Sequence, residues 1–195
     1  MAKQLERCGQ DHGHYHAVRF YEDEKSLCRM VTDFIGEGLA AGQPAVVIAM
    51  PAHREEIDRG LSALGLDLRR LRENRELLVL DAEETLSTFM KDGVPDPVAF
   101  RMSVGGVLDG ATGGRPNVTV RAYGEMVDWL WKHDAADAAI RLEMLWNQLA
   151  DTRAFSLLCG YSMGNFYKQG AYEDICSQHT HVVSAAGQPL PVSVV

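Results

Sequence analysis

The run AVVIAM (Ala45–Met50) is apolar at every position, and FSLLC (Phe155–Cys159) is nearly so. A strand that is apolar on both faces has to be covered on both faces, which is the situation of a parallel sheet held between two layers of helices. Three further segments carry the strand pattern: HAVRFY (His16–Tyr21), LLVLD (Leu77–Asp81) and VTVRAY (Val118–Tyr123). Between the strands the period lengthens. Leu27, Met30, Val31, Phe34 and Ile35 fall on one helical stripe, and Ala135, Ala139, Leu142, Trp146 and Leu149 fall on another. The second stripe assigns Trp146 to the core. Pro51 fits the first turn of a helix after AVVIAM, where a missing N–H costs nothing. This alternation predicts an α/β fold with three layers, α/β/α, and a mainly parallel central sheet.

The 195 residues suffice for one domain with a single core, and a composition of 46% hydrophobic and 24% charged residues is that of a folded chain. The formal net charge of −8 argues against a nucleic-acid surface, which needs clustered cations. The densest basic group, Arg69-Arg70-Leu71-Arg72, lies among Glu73 and Glu76 and is expected to be a solvated helix end. Cys8, Cys28, Cys159 and Cys176 show no C-x-x-C spacing, so reduced thiols are expected. No apolar run reaches the length of a membrane span, and a cytoplasmic location is the expectation. The segment Asp109–Asn117 (DGATGGRPN) is expected to be a loop, and Ala185–Val195 either a loose tail or an edge strand.

Several motifs carry chemistry. Gly160-Tyr161-Ser162-Met163-Gly164 matches G-x-S-x-G, with Asp174 and His179 or His181 in the right order for an acid and a base. The chain after Gly164 is too short to return both partners to an elbow on a central strand, so a working triad is not expected. Cys8, His12, His14 and His16 could gather a metal, but no second ligand pair stands at zinc-site spacing, and no metal site is assigned. Glu143 and Asn147 lie one turn apart beside an apolar stripe and are expected to form a solvent-facing polar ledge. Arg121, inside a strand, needs a partner, for which Glu125 or Glu143 is the candidate carboxylate. Tyr21, Asp81, Tyr123 with Glu125, and Tyr161 end strands, where open α/β sheets place their ligands.

The run from Phe34 through Asp81 resembles the segment after the phosphate-binding loop in KaiC-like members of the RecA family. Yet no G-x-x-x-x-G-K-[ST] occurs, and Glu22-Asp23-Glu24 stands where that loop belongs, so tight ATP binding is not expected. A RecA-like core without that loop resembles the MEDS family, the methanogen/methylotroph DcmR-type sensory domain. The matching pieces are His16 and Tyr21, Gly38-Leu39 with Gly42, Arg121 with Gly124-Glu125-Met126, Glu143, and Cys159 with Tyr161 before Phe166. The resemblance implies one sensory domain over residues 16–182, after a polar leader (1–15) and before a flexible tail (183–195). It also implies a sensor of a small organic ligand that signals to a regulatory protein such as a histidine kinase or transcription regulator, standing alone here and not itself an enzyme. The alternative is an enzyme, either a degenerate RecA-like nucleotide hydrolase or a serine hydrolase using Ser162. The ligand-binding residues are expected to be His16, Tyr21, Arg121, Glu125 and Tyr161, in a pocket at the carboxyl edge of the sheet. No cofactor is expected beyond the ligand, and a homodimer is left open.

Overall fold

In the computed structural model, residues 15–163, 172–184 and 187–192 are described. Chain order runs β1 (Tyr15–Tyr21), α1 (Glu24–Ala40), β2 (Ala45–Ala49), α2 (Pro51–Ala63), α3 (Leu68–Glu73), β3 (Leu77–Asp81) and α4 (Ala82–Ser87). It continues through the hairpin β4 (Met90–Lys91) and β5 (Val94–Pro95), then α5 (Pro97–Thr112), β6 (Val120–Gly124), α6 (Met126–Lys132) and α7 (Ala136–Ala150). It ends with β7 (Phe155–Ser162), α8 (Tyr172–Ser177), β8 (His181–Val183) and β9 (Pro189–Pro191). Seven strands form one sheet in the order β3-β2-β6-β7-β1-β8-β9. All pairs in it are parallel except β8–β9.

Alternation along each strand decides which layer a side chain joins. Val46 and Ile48 of β2 and Leu157, Cys159 and Tyr161 of β7 pack with α5, α6 and α7 around Phe100, Leu142 and Trp146. Ala45, Val47 and Leu158 face the opposite layer, where Leu27, Val31 and Ile35 of α1 meet Ile57 and Leu61 of α2. Every residue of β2 is buried, as a strand covered on both faces must be. Trp146 is 1% exposed and belongs to the core.

Aspartates start four of the helices by accepting backbone N–H groups: Asp23 for α1, Asp67 for α3, Asp81 for α4 and Asp96 for α5. The expected loop at Asp109–Asn117 is corrected at its start. Residues 109–112 are the last turn of α5, which stops at Gly113, whose φ of 58° is the left-handed cap glycine accepts. The tail, left open between loose chain and edge strand, contributes β9, which pairs with β8. No helix among the described residues is long and apolar enough to cross a membrane.

Candidate functional site

The five residues expected to line one pocket occupy three places. Tyr21 and Glu125 lie at the carboxyl edge of the sheet, Arg121 faces α1, and His16 and Tyr161 face α7.

At the carboxyl edge, Glu125 is buried and stands between the end of β6 and the start of α6. Its Oε2 accepts the Met50 N–H at 2.9 Å, and its Oε1 lies 2.6 Å from Nδ1 of His53. The hydrogen bond to Glu125 raises the His53 pKa, with burial acting the other way. Asp128, one turn further on, accepts the Tyr21 hydroxyl at 2.7 Å, the Ser162 N–H at 2.7 Å and the Lys132 ammonium at 2.9 Å. Burial, then Asp128, pushes the Tyr21 phenol well above its ordinary range. These bonds tie β1, β2, β7, α2 and α6 together, and their donors and acceptors are spent on one another.

The expected Arg121–Glu125 or Arg121–Glu143 pair is not formed. Arg121 is the second residue of β6, on the α1 face and at the opposite end of the strand from Glu125, and its Nε donates to Gln43 Oε1 at 2.8 Å. Its guanidinium lies 4.8 Å from the Phe34 ring centroid, and a Cβ at Gly38 would stand 2.2 Å from Arg121 Cγ, so only glycine lets α1 come this close. Tyr15 and Ser156 share its row across the sheet. Four residues along β1 from Tyr15 is Arg19, 8% exposed. One Arg19 N–H donates to the Val183 carbonyl at 3.2 Å, while its buried Nε has no partner among the described residues. Together with Phe34 and Leu158 these side chains line a groove of about 740 Å³ between α1 and the sheet. That volume is in the range of small-molecule sites. The groove lies on the α1 face, not at the carboxyl edge where the pocket was expected.

On the α7 face, Glu143 and Asn147 are not the solvent ledge that their position beside the stripe suggested. Glu143 is 0% exposed. Tyr161 donates to its Oε1 at 2.8 Å and the Cys159 thiol to its Oε2 at 3.6 Å. His16 Nε2 stands 3.2 Å from Oε2, and His179 Nε2 3.4 Å from Oε1. Asn147 Nδ2 donates to the Gln178 carbonyl, which turns its Oδ1 toward His16 Nδ1 at 2.8 Å. Burial, then the neighbouring His179, lowers the His16 pKa. Burial, then Glu143, pushes the Cys159 thiol and the Tyr161 phenol up.

Residues Cys8, His12 and His14 of the leader lie outside the described residues. Cys28 and Cys159 are free thiols. In the G-x-S-x-G segment, Ser162 is the last residue of β7, and Gly164 is outside the described residues. Asp174 lies in the first turn of α8, and His179 is turned into the Glu143 cluster.

The architecture is that of a three-layer α/β domain whose first helix begins at an acidic turn instead of a phosphate loop. Over residues 15–180 the chain matches the family model MEDS, the "MEthanogen/methylotroph, DcmR Sensory domain", and it belongs to that family. It is therefore a sensory domain in the general sense of that description. No curated protein matches it.

Arg19, His53, Asp128 and His179 are missing from the expected site. The reasoning that singled out Arg121 as a charge inside a strand applies equally to Arg19 in HAVRFY. His53 and Asp128 had no comparable signal, because each looks like an ordinary polar residue of an amphipathic helix. His179 is brought in by the long-range pairing of the C-terminal segment.

Proposed function

We propose that this domain senses a small organic compound bearing an anionic group, bound in the groove between α1 and the strands β1, β6 and β7. The observation that carries this reading is Arg19: a guanidinium on the groove floor, nearly buried, whose neighbours among the described residues include no paired carboxylate. Burying a cation without an anion is costly, and an incoming carboxylate would supply both the charge and the hydrogen-bond acceptors that Arg19 lacks. Arg121 gives the same anion a second cation, while Tyr15, Phe34 and Leu158 supply apolar wall for the rest of the molecule. The acids that touch the groove, Asp33 and Glu37, are exposed on α1 at its rim. Ligand binding would bridge α1 to β1, and a regulatory partner such as a histidine kinase or transcription regulator would receive the change.

We read the domain as a binding module and not as an enzyme. In support, the N–H groups of Lys25 and Ser26 at the start of α1, where a nucleotide hydrolase would hold phosphate, are already capped by the Asp23 carboxylate. His179, the nearest base in sequence for Ser162, donates its Nδ1–H to the Ile175 carbonyl and faces Glu143 through Nε2. Calorimetry against a panel of short-chain carboxylates and their amides tests the reading. Carboxylates should bind and amides should not, and Arg19→Met should weaken binding about 10-fold or more, since a charged hydrogen bond contributes about 1.5–3 kcal/mol. Equal binding of acids and amides, or ester or ATP turnover lost in Ser162→Ala, would contradict it.

A further inference from the structure

The cluster on the α7 face holds two histidines whose outer nitrogens are both committed. His16 Nδ1 meets the Asn147 Oδ1 and His179 Nδ1 meets the Ile175 carbonyl at 2.7 Å, and both of these oxygens can only accept. Each ring therefore carries its proton on Nδ1. Each presents Nε2 to the Glu143 carboxylate, at 3.2 and 3.4 Å, and a carboxylate also only accepts. Two lone pairs facing a carboxylate repel it unless something positive lies between them. Proton on both Nε2 atoms would place two imidazolium rings, with centroids 4.2 Å apart, against each other in a buried site. His179 Nε2 is left without a hydrogen-bond partner among the described residues. Among the described residues no Lys or Arg pairs with Glu143.

A metal ion resolves the arrangement. With metal–nitrogen and metal–oxygen bonds of about 2.0–2.2 Å and a metal–sulfur bond of about 2.3 Å, the edges of a tetrahedral site are roughly 3.3–3.6 Å. The separations among His16 Nε2, Cys159 Sγ and Glu143 Oε2 are 3.2 Å (His16–Glu143), 3.5 Å (Cys159–His16) and 3.6 Å (Cys159–Glu143), and His179 Nε2 lies 3.4 Å from the other carboxylate oxygen, Oε1. All four donor atoms lie within 4.8 Å of one another. The Nδ1–H bonds to Asn147 and Ile175 are the outer contacts that orient metal-bound imidazoles. One thiolate, one carboxylate and two neutral imidazoles balance a divalent cation, so the buried site carries no net charge; the thiol proton leaves to solvent as the ion enters.

We propose that His16, Glu143, Cys159 and His179 bind one divalent metal ion of the zinc class, which fastens the segment from α8 to β8 onto β1, β7 and α7. The donors come from β1, α7, β7 and the turn between α8 and β8. That turn already wraps His16, since Thr180 N–H and Thr180 Oγ1 both donate to the His16 carbonyl, at 2.7 and 2.8 Å. This site is separate from the groove, and either can fail without the other.

The test is cobalt titration of chelator-treated full-length protein, followed by absorbance. The expected result is one equivalent of Co²⁺ with the strong visible bands of a tetrahedral site and a thiolate-to-cobalt charge-transfer band. The band should persist in a chain whose sole cysteine is Cys159 and in His12→Ala/His14→Ala, and should vanish in Cys159→Ser. Asn147→Ala should weaken binding about 10–100-fold. Zinc should raise the melting temperature of the wild type above that in chelator, a readout that needs no variant to fold. Absence of the thiolate band in folded wild type, its loss in His12→Ala/His14→Ala, or no thermal shift with zinc would overturn the proposal.

Discussion

The two faces of β1 and β7 put the same backbone to opposite uses. Toward α1, alternate residues Tyr15, Arg19, Ser156 and Leu158 line an open groove in which a cation has no paired anion among the described residues. Toward α7, the intervening residues His16, Cys159 and Tyr161 converge on one carboxylate sealed from solvent. One face is incomplete in a way that a small anion would satisfy, and the other is closed and built of metal-ligand types. A period of two in the sequence thus separates the proposed recognition surface from the proposed fastening point by the thickness of one sheet.

The largest effect is expected on the closed face. Glu143→Ala removes the acceptor of Tyr161 and leaves two buried histidines without their carboxylate. The cost should be about 3–5 kcal/mol, the usual consequence of breaking one side of a buried charge cluster. Urea denaturation measures it, and a loss below about 1 kcal/mol would mean that the cluster is open to water.

The open face should respond less and differently. Gly38→Ala drives a methyl into Arg121 Cγ, and overpacking of this kind costs about 1–3 kcal/mol. Shortening the neighbour in Gly38→Ala/Arg121→Ala should recover most of the loss. Arg121→Ala alone should cost under about 1 kcal/mol, because its partners are Gln43 and one aromatic ring. A cycle with Glu125→Gln should be additive, since the two residues do not touch.

The smallest effect is a pH dependence at the carboxyl edge. The hydrogen bond from Glu125 raises the His53 pKa in the fold, so its stabilisation is complete below the unfolded value of about 6.5. It is lost as pH rises through the higher folded value. The stability difference between wild type and His53→Gln should therefore shrink on going from about pH 6 to about pH 9. A difference that grows with pH would show that Glu125 does not hold the protonated ring.

Much of the fold was legible because the strands are apolar on both faces and the helices between them keep period. All five expected strands form, with ends shifted by three residues at most. The hairpin β4–β5 was passed over although Asp92-Gly93, at φ of 51° and 78°, carries a tight-turn pair. Glu143 escaped because it flanks an apolar stripe, and only the C-terminal segment closing over α7 makes that flank interior. Arg121 was rightly seen as needing company, but a strand position does not say which end of a neighbouring helix will supply it. The site was legible as residues and not as an arrangement, since His16 and Arg19 differ in face by an odd step along β1 while their partners lie more than a hundred residues away.

The claim that the α1 face binds an anion while the α7 face stays closed is tested most directly by following arginine Nε–H and histidine ring resonances of labelled protein during titration with a short-chain carboxylate. The Arg19 and Arg121 signals should shift together and saturate, with the His16 and His179 rings unchanged. Shifts that appear first in those histidine rings, or an Arg19 signal that never moves, would contradict the account.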